Sequence, residues 1–239
     1  MDENVLQGKR VLVVDDEADL REIVASELEF MGGIVTQAEN ITVAKEILNS
    51  EKIDLIVSDI RMPGGTGVDL LDYIKSRDVN EPPIMLITGF ADITVQEAFD
   101  RGAEALMNKP FKLDDLILVA ARLTGPIEKR FQVDDFPANK ELNLEADDIQ
   151  EFALGRGGCS IRFNTGGKRF DISEVLNFNL DLEDKKLSGT GMVRWKKNPE
   201  TPDGSLTVGL EFLNLDSESL AFELQNFQSK KTKALIPTL

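Results

Sequence analysis

No histidine occurs anywhere in the 239 residues. That absence removes every mechanism that needs an imidazole within this chain, including a catalytic triad, His-ligated zinc and an internal phosphohistidine step. The single Cys159 excludes an internal disulfide and reads as a small apolar core residue. No apolar run approaches the ~20 residues a membrane helix needs, and Met1-Asp2-Glu3 lacks the basic start of a secretory leader, so a cytoplasmic location without membrane insertion is expected. Cations are also scarce, with 27 Lys and Arg against 43 Asp and Glu and a net charge of −16. Residues 1–124 carry −12 of that excess and residues 125–239 carry −4. Such a surface repels a phosphate backbone, which disfavours direct nucleic-acid binding.

What is present suffices for ordinary cores: 41% of residues are hydrophobic and 29% charged, over a length that fits two modest domains or one large one. Short apolar runs and helical periodicities alternate through the first half. Strands are expected at 10–14, 34–38, 54–59, 83–88 and 105–108, with helices at 19–31, 41–49, 68–76, 93–101 and 113–123. Five such units imply an α/β fold, a doubly wound five-stranded parallel sheet with its ligand crevice at the carboxyl ends of the strands. Four runs deliver polar residues to that edge: Asp15 and Asp16 after the first strand, Asp59 after the third, Thr88 after the fourth and Lys109 after the fifth. Three carboxylates so close together are unfavourable unless a proton or cation intervenes, and magnesium is a hard ion suited to them.

In order and spacing these residues resemble the receiver domain of bacterial response regulators. The resemblance implies a flavodoxin-like domain over residues 1–124 whose Asp59 accepts a phosphoryl group as an aspartyl phosphate. It further implies Mg2+ held by Asp15, Asp16, Asp59 and the carbonyl of Arg61, with Lys109 and the Thr88 hydroxyl meeting the phosphoryl oxygens. The donor would be a sensor histidine kinase or phosphotransfer protein, because this chain has no histidine of its own. The family's usual aromatic residue, three positions before the lysine, is here Leu106. A shift of the helix after Phe90 is therefore expected to carry the signal instead. Phe90 and Arg61 occupy places that tune phosphate lifetime in the family.

After residue 124 the pattern changes. Residues 125–140 read as a linker. Beyond them a period of two appears, clearest where Leu176, Phe178, Leu180 and Leu182 alternate with polar residues. Strand-like runs at 142–144, 149–154, 159–163, 169–172, 187–195 and 205–212, with turns at 165–167 and 202–204, suggest a small antiparallel β-barrel. A helix at 217–228 follows, and residues 229–239 form a tail, either disordered or a short docking peptide.

The stretches 154–162, 187–195 and 206–215 resemble a PilZ domain, spanning 141–228. That family usually binds cyclic di-GMP through an Arg-x-x-x-Arg segment and an Asp/Asn-x-Ser-x-x-Gly turn. Counted from Gly157, the Asp and Ser places hold Phe152 and Leu154; from Gly158 they hold Ala153 and Gly155. Lys129-Arg130 is the linker's only basic pair. Arg156, Arg162, Lys168 and Arg169 remain as either a basic patch or a solvated rim, and Arg194 to Lys197 surround either a stacking or a core Trp195. The expected output is protein contact, with an unidentified protein, with the chain's own receiver or with a second copy as a homodimer. Two alternatives stand beside this signalling reading: a dual sensor that also binds cyclic di-GMP, and a magnesium phosphohydrolase. Against the latter, Arg61 stands where such enzymes place a second Asp.

Overall fold

The computed structural model describes residues 4–89, 93–133, 136–164, 166–167, 169–198 and 204–239. Phe90, Thr165, Lys168, Pro202 and Asp203, on which sequence readings fell, lie outside them. The chain divides into two compact units, one of residues 1–94 and 101–125, the other of 95–100 and 126–239.

In the first unit β1 (Arg10–Val14), α1 (Ala18–Phe30), β2 (Ile34–Ala38), α2 (Ile41–Ser50) and β3 (Leu55–Asp59) follow in turn. A two-residue hairpin comes next, β4 (Arg61–Met62) with β5 (Gly65–Thr66), too short for any periodicity to announce. Then come α3 (Gly67–Arg77), β6 (Ile84–Thr88), β7 (Ala105–Asn108) and α5 (Leu113–Thr124). The main strands form one parallel sheet in the order β2-β1-β3-β6-β7. This is the doubly wound arrangement expected. β3 and β6 are buried along their whole length, so continuous apolar runs rather than alternation mark them. Local signals fix the helix starts: Asn40 accepts from the amides of Thr42 and Val43 at 2.9 and 3.0 Å, and Thr66 with Asp69 forms a capping box. One core joins Val11, Val13, Leu55, Val57, Met85 and Ile87 of the sheet to Val24 and Leu28 of α1 and Leu116, Ile117 and Ala120 of α5.

The second unit takes in a short helix, α4 (Val95–Asp100), from between β6 and β7. Its main body is a six-stranded sheet built from β8 (Lys140–Leu144), β9 (Ile149–Leu154), β10 (Gly158–Asn164), β11 (Val175–Asp181), β12 (Lys186–Lys197) and β13 (Ser205–Leu215), followed by α6 (Ser217–Ser229). Strand order is β8-β11-β12-β13-β10-β9. Buried residues of β8, β10, β11, β12 and β13 line a single core, with Phe152 and Leu154 of β9 against it, and Phe178 stacks on Phe212 at 5.6 Å. Three expectations need correction. The β8–β11 pairing is parallel, so the barrel-like sheet is mixed rather than wholly antiparallel. Residues 169–172 form no strand: Phe170 enters the core but Ile172 is 58% exposed, and Ser173 turns the chain with φ 70°. The presumed linker is also built in, since Phe131 is buried in the core and the Val133 amide donates to the Leu213 carbonyl at 3.0 Å. Among the described residues no helix is long and apolar enough to cross a membrane.

Candidate functional site

The carboxyl ends of β1, β3 and β7 bring Asp15, Asp59 and Lys109 together. Asp59 is the last residue of β3 and is buried; its Oδ2 accepts the Arg61 amide at 2.6 Å and its Oδ1 lies 2.6 Å from Lys109 Nζ. The α3 start must pass close behind it. A Cβ on Gly67 would fall 2.2 Å from the Asp59 carbonyl oxygen, so only glycine lets the helix begin there. Asp15, also buried, lies 3.3 Å from the same ammonium through Oδ2, and its Oδ1 accepts the Glu17 amide at 2.8 Å. Lys109 follows β7 directly, and its amide donates to the Thr88 carbonyl at 2.7 Å, tying the two strand ends together. Thr88 is the buried last residue of β6. Asp16, in the loop after β1, and Arg61, the first residue of β4, are exposed.

Two neighbours escaped the sequence reading. Glu17 Oε1 reaches Lys109 at 3.4 Å, and Arg21 on the first turn of α1 donates to the Asp15 carbonyl at 2.6 Å. Their adjacency to the acid pair was the only available signal. Burial pushes the Asp15 carboxyl above the usual range, and nearby Asp59 adds to this, while the Glu17 amide and Lys109 act in the opposite sense. For Lys109 burial works against the charged form, yet the hydrogen bond it donates to Asp59 and the charge of Asp15 prevail and raise its pKa. Lys109 meets Asp15, Asp59 and Glu17, so acid exceeds base at this edge. Among the described residues no three acidic, His or Cys side chains are drawn together into a ready metal cage. The chemistry of the donors nevertheless fits a hard divalent ion, because every side chain on offer is a carboxylate and their charge is incompletely offset.

Among the described residues of the second unit, most of the candidate cations are buried or paired with acids. Arg156 is 1% exposed, so it belongs to neither a basic surface nor a solvated rim. Arg162 pairs with Glu151 at 2.7 Å, Arg194 with buried Glu211, and Lys196 with Asp171 at 3.0 Å. Trp195 is a buried core residue. A cleft of about 400 Å³ opens elsewhere, lined by Ile149, Phe152, Leu182 and Phe222 and edged by Glu151, Asp181, Glu183 and Asp184.

Family profiles agree with this geometry. The response regulator receiver domain matches residues 11–121 and the PilZ domain matches residues 136–227. The chain joins a response regulator receiver domain to a PilZ domain. The receiver half is 34% identical, over 54% of this chain, to the response regulator protein PilR of Pseudomonas aeruginosa, and 35% identical, over 50%, to the phosphate regulon transcriptional regulatory protein PhoB of the same organism. The chain spans only 30% and 54% of the lengths of those two relatives. Among solved structures, the receiver domain of NtrX from Brucella abortus is 38% identical, with a TM-score of 0.45, covering 48% of this chain and 97% of that one.

Proposed function

We propose that the receiver takes a phosphoryl group onto Asp59 from a phosphohistidine of a sensor kinase or phosphotransfer protein, and that the PilZ domain passes the signal on through protein contacts. The observation that carries this reading is the meeting of Asp59, Asp15 and Lys109 at the ends of three parallel strands. In the transfer, a carboxylate oxygen of Asp59 bonds to phosphorus as the phosphorus–nitrogen bond of the donor breaks, and the departing imidazole keeps the electron pair and takes up a proton. Lys109 exchanges part of its contact with the carboxylates for the phosphoryl oxygens, and the Thr88 hydroxyl donates to one of them. Asp15, Asp16, Asp59 and the Arg61 carbonyl would hold a magnesium ion, which supplies charge neutralisation at those oxygens.

For output, Leu106 is half-buried and lacks a hydroxyl, so movement of Thr88 is read through α4 rather than through an inward-turning aromatic ring. Phe99 of α4 packs with Trp195, Leu235 and Ile236, which supports that route. The acid-edged apolar cleft suits a basic amphipathic segment of a protein partner. The chain is assigned to the cytoplasm, where such kinases present their phosphohistidines.

Intact-mass analysis after incubation with magnesium and a small phosphodonor tests the core claim. One added phosphoryl group is expected on the parent chain, and none on Asp59→Asn or after chelation. A parent chain that never gains mass, or an Asp59→Asn chain that still does, overturns it. The PilZ match favours a second reading, cyclic di-GMP binding, against which stand Phe152, Leu154, Ala153 and Gly155 at the motif places. Heat on calorimetric titration with that nucleotide would establish it. Steady phosphoester turnover undiminished in Asp59→Asn would establish a hydrolase.

A further inference from the structure

The glycine-rich turn between β9 and β10 is filled by the chain's own tail. The turn is preformed: the Gly155 amide donates to the Gly158 carbonyl at 2.8 Å, Phe212 donates to the Gly157 carbonyl at 2.9 Å, and Asn226 Nδ2 of α6 donates to the Gly155 carbonyl at 2.6 Å. Two amides of the turn point to the tail instead. Arg156 N donates to the Ala234 carbonyl at 2.9 Å and Gly157 N to the Leu235 carbonyl at 3.2 Å, while Arg156 Nε donates to the Lys233 carbonyl at 3.0 Å. Ala234, Leu235 and Ile236 are buried.

None of Gly155, Gly157 or Gly158 has a positive φ, so backbone conformation does not require glycine there. Space does. A Cβ would fall 2.2 Å from the Leu235 carbonyl oxygen at Gly155, 2.6 Å from Leu235 Cδ1 at Gly157 and 2.8 Å from Ile236 Cγ1 at Gly158. At Gly158 the Leu210 carbonyl of β13 also stands 2.2 Å away, so that position serves the sheet as well. At Gly155 and Gly157 the tail alone supplies the nearest atoms.

We propose that the turn Gly155–Gly158, with buried Arg156, is a peptide-binding site and that residues 233–237 are its tethered, displaceable ligand. The ligand class is a peptide carrying one small residue followed by two aliphatic ones. Its main-chain carbonyls meet two amides and a guanidinium, and its side chains fill the space left by missing Cβ atoms. The tail adds no strand to the sheet, whose ladder from β8 to β9 is complete without it. A short tether holds such a ligand at an effective concentration on the order of millimolar, so the site stays closed to weaker outside ligands.

Trp195, the chain's only tryptophan, packs with Leu235 and Ile236, so its emission reports occupancy. The experiment places a specific protease site between Lys231 and Thr232 of the full chain, which is folded first and cut afterwards. On dilution of the cut protein, Trp195 emission is expected to shift to the red with the sheet signal in circular dichroism retained. A synthetic peptide of residues 232–239 restores the emission saturably; the same peptide with Leu235→Asp is weaker by at least about 100-fold. The uncut chain does not respond to either. Loss of the sheet signal when the tail leaves would make the tail an integral part of the core and overturn the proposal. Emission that never changes on cutting and dilution, or that added peptide does not restore, would overturn it equally.

Discussion

Buried acids divide the two units. In the receiver, Asp15 and Asp59 share one cation, Lys109, whose side chain keeps 21% of its surface exposed at the open edge of the sheet. In the PilZ unit, Glu223 lies fully buried on α6 beside Ser219 and Phe227, met by the Asn226 amide at 3.4 Å. Burial pushes its carboxyl well above the usual glutamate range, against smaller opposing effects of Asn226 and Arg156. A third case separates the causes. Glu104 is 2% exposed and pairs with buried Lys75 at 2.7 Å, while its other oxygen accepts the Ile84 amide at 2.8 Å. A cation alone therefore does not make a site. Asp59 differs from Glu104 in standing at the open end of its strand, and from Glu223 in having an ammonium 2.6 Å from its carboxylate.

Removing the cation from the open site is the sharpest way to break this comparison. Lys109→Ala is expected to slow phosphoryl uptake by about 10²–10³-fold, the scale for losing one preorganised charge-stabilising group, read as the rate of mass gain with a small phosphodonor. Uptake at the parental rate would mean Lys109 only balances charge, as Lys75 does. Glu104→Ala strands the Lys75 ammonium in the core and should cost about 3–5 kcal/mol in denaturant unfolding; phosphoryl uptake by the fraction still folded should be unchanged. For Glu223 the sign follows from its raised pKa. Above the ordinary glutamate range the folded chain holds this proton while the unfolded chain releases it, so stability falls as pH rises toward the folded value, by up to about 1.4 kcal/mol per pH unit. Glu223→Gln should flatten that slope in thermal melts across pH while preserving the neutral shape. A slope that survives the substitution would assign it to another group. The smallest effect is expected at a surface cap: Asp216 accepts the Ser219 amide at 2.8 Å, and Asp216→Ala should destabilise by about 1 kcal/mol in denaturant unfolding.

The receiver was legible because its information is local. Each strand is a run of apolar residues ending in a polar group, so Asp15, Asp59, Thr88 and Lys109 could be placed along one edge of the sheet before any pairing was known. The PilZ strands were legible wherever alternation was strong, as at Leu176, Phe178 and Leu180. What stayed hidden depends on partners far along the chain. Arg156 looks like a surface arginine until the Lys233 carbonyl, 77 residues later, covers it. Glu223 lies on a helix, and its burial is set by packing that no helical period reveals. The tail's Ala234 to Ile236 is apolar without periodicity, which fits disorder as well as docking. Residues 169–172 misled in the opposite direction, because one anchoring phenylalanine resembles a short strand.

The distance between the turn and its filling also fixes an order of events during synthesis. Gly155 to Gly158 leave the ribosome long before Leu235 does, and in the interval β10 to β13 and α6 can be made and assembled. A nascent chain whose sheet pairs before Leu235 arrives has two backbone amides and an apolar hollow exposed to solvent. Translation that stops short of Leu235 would leave a product frozen at that stage, a candidate for chaperones and proteases even though every strand is present.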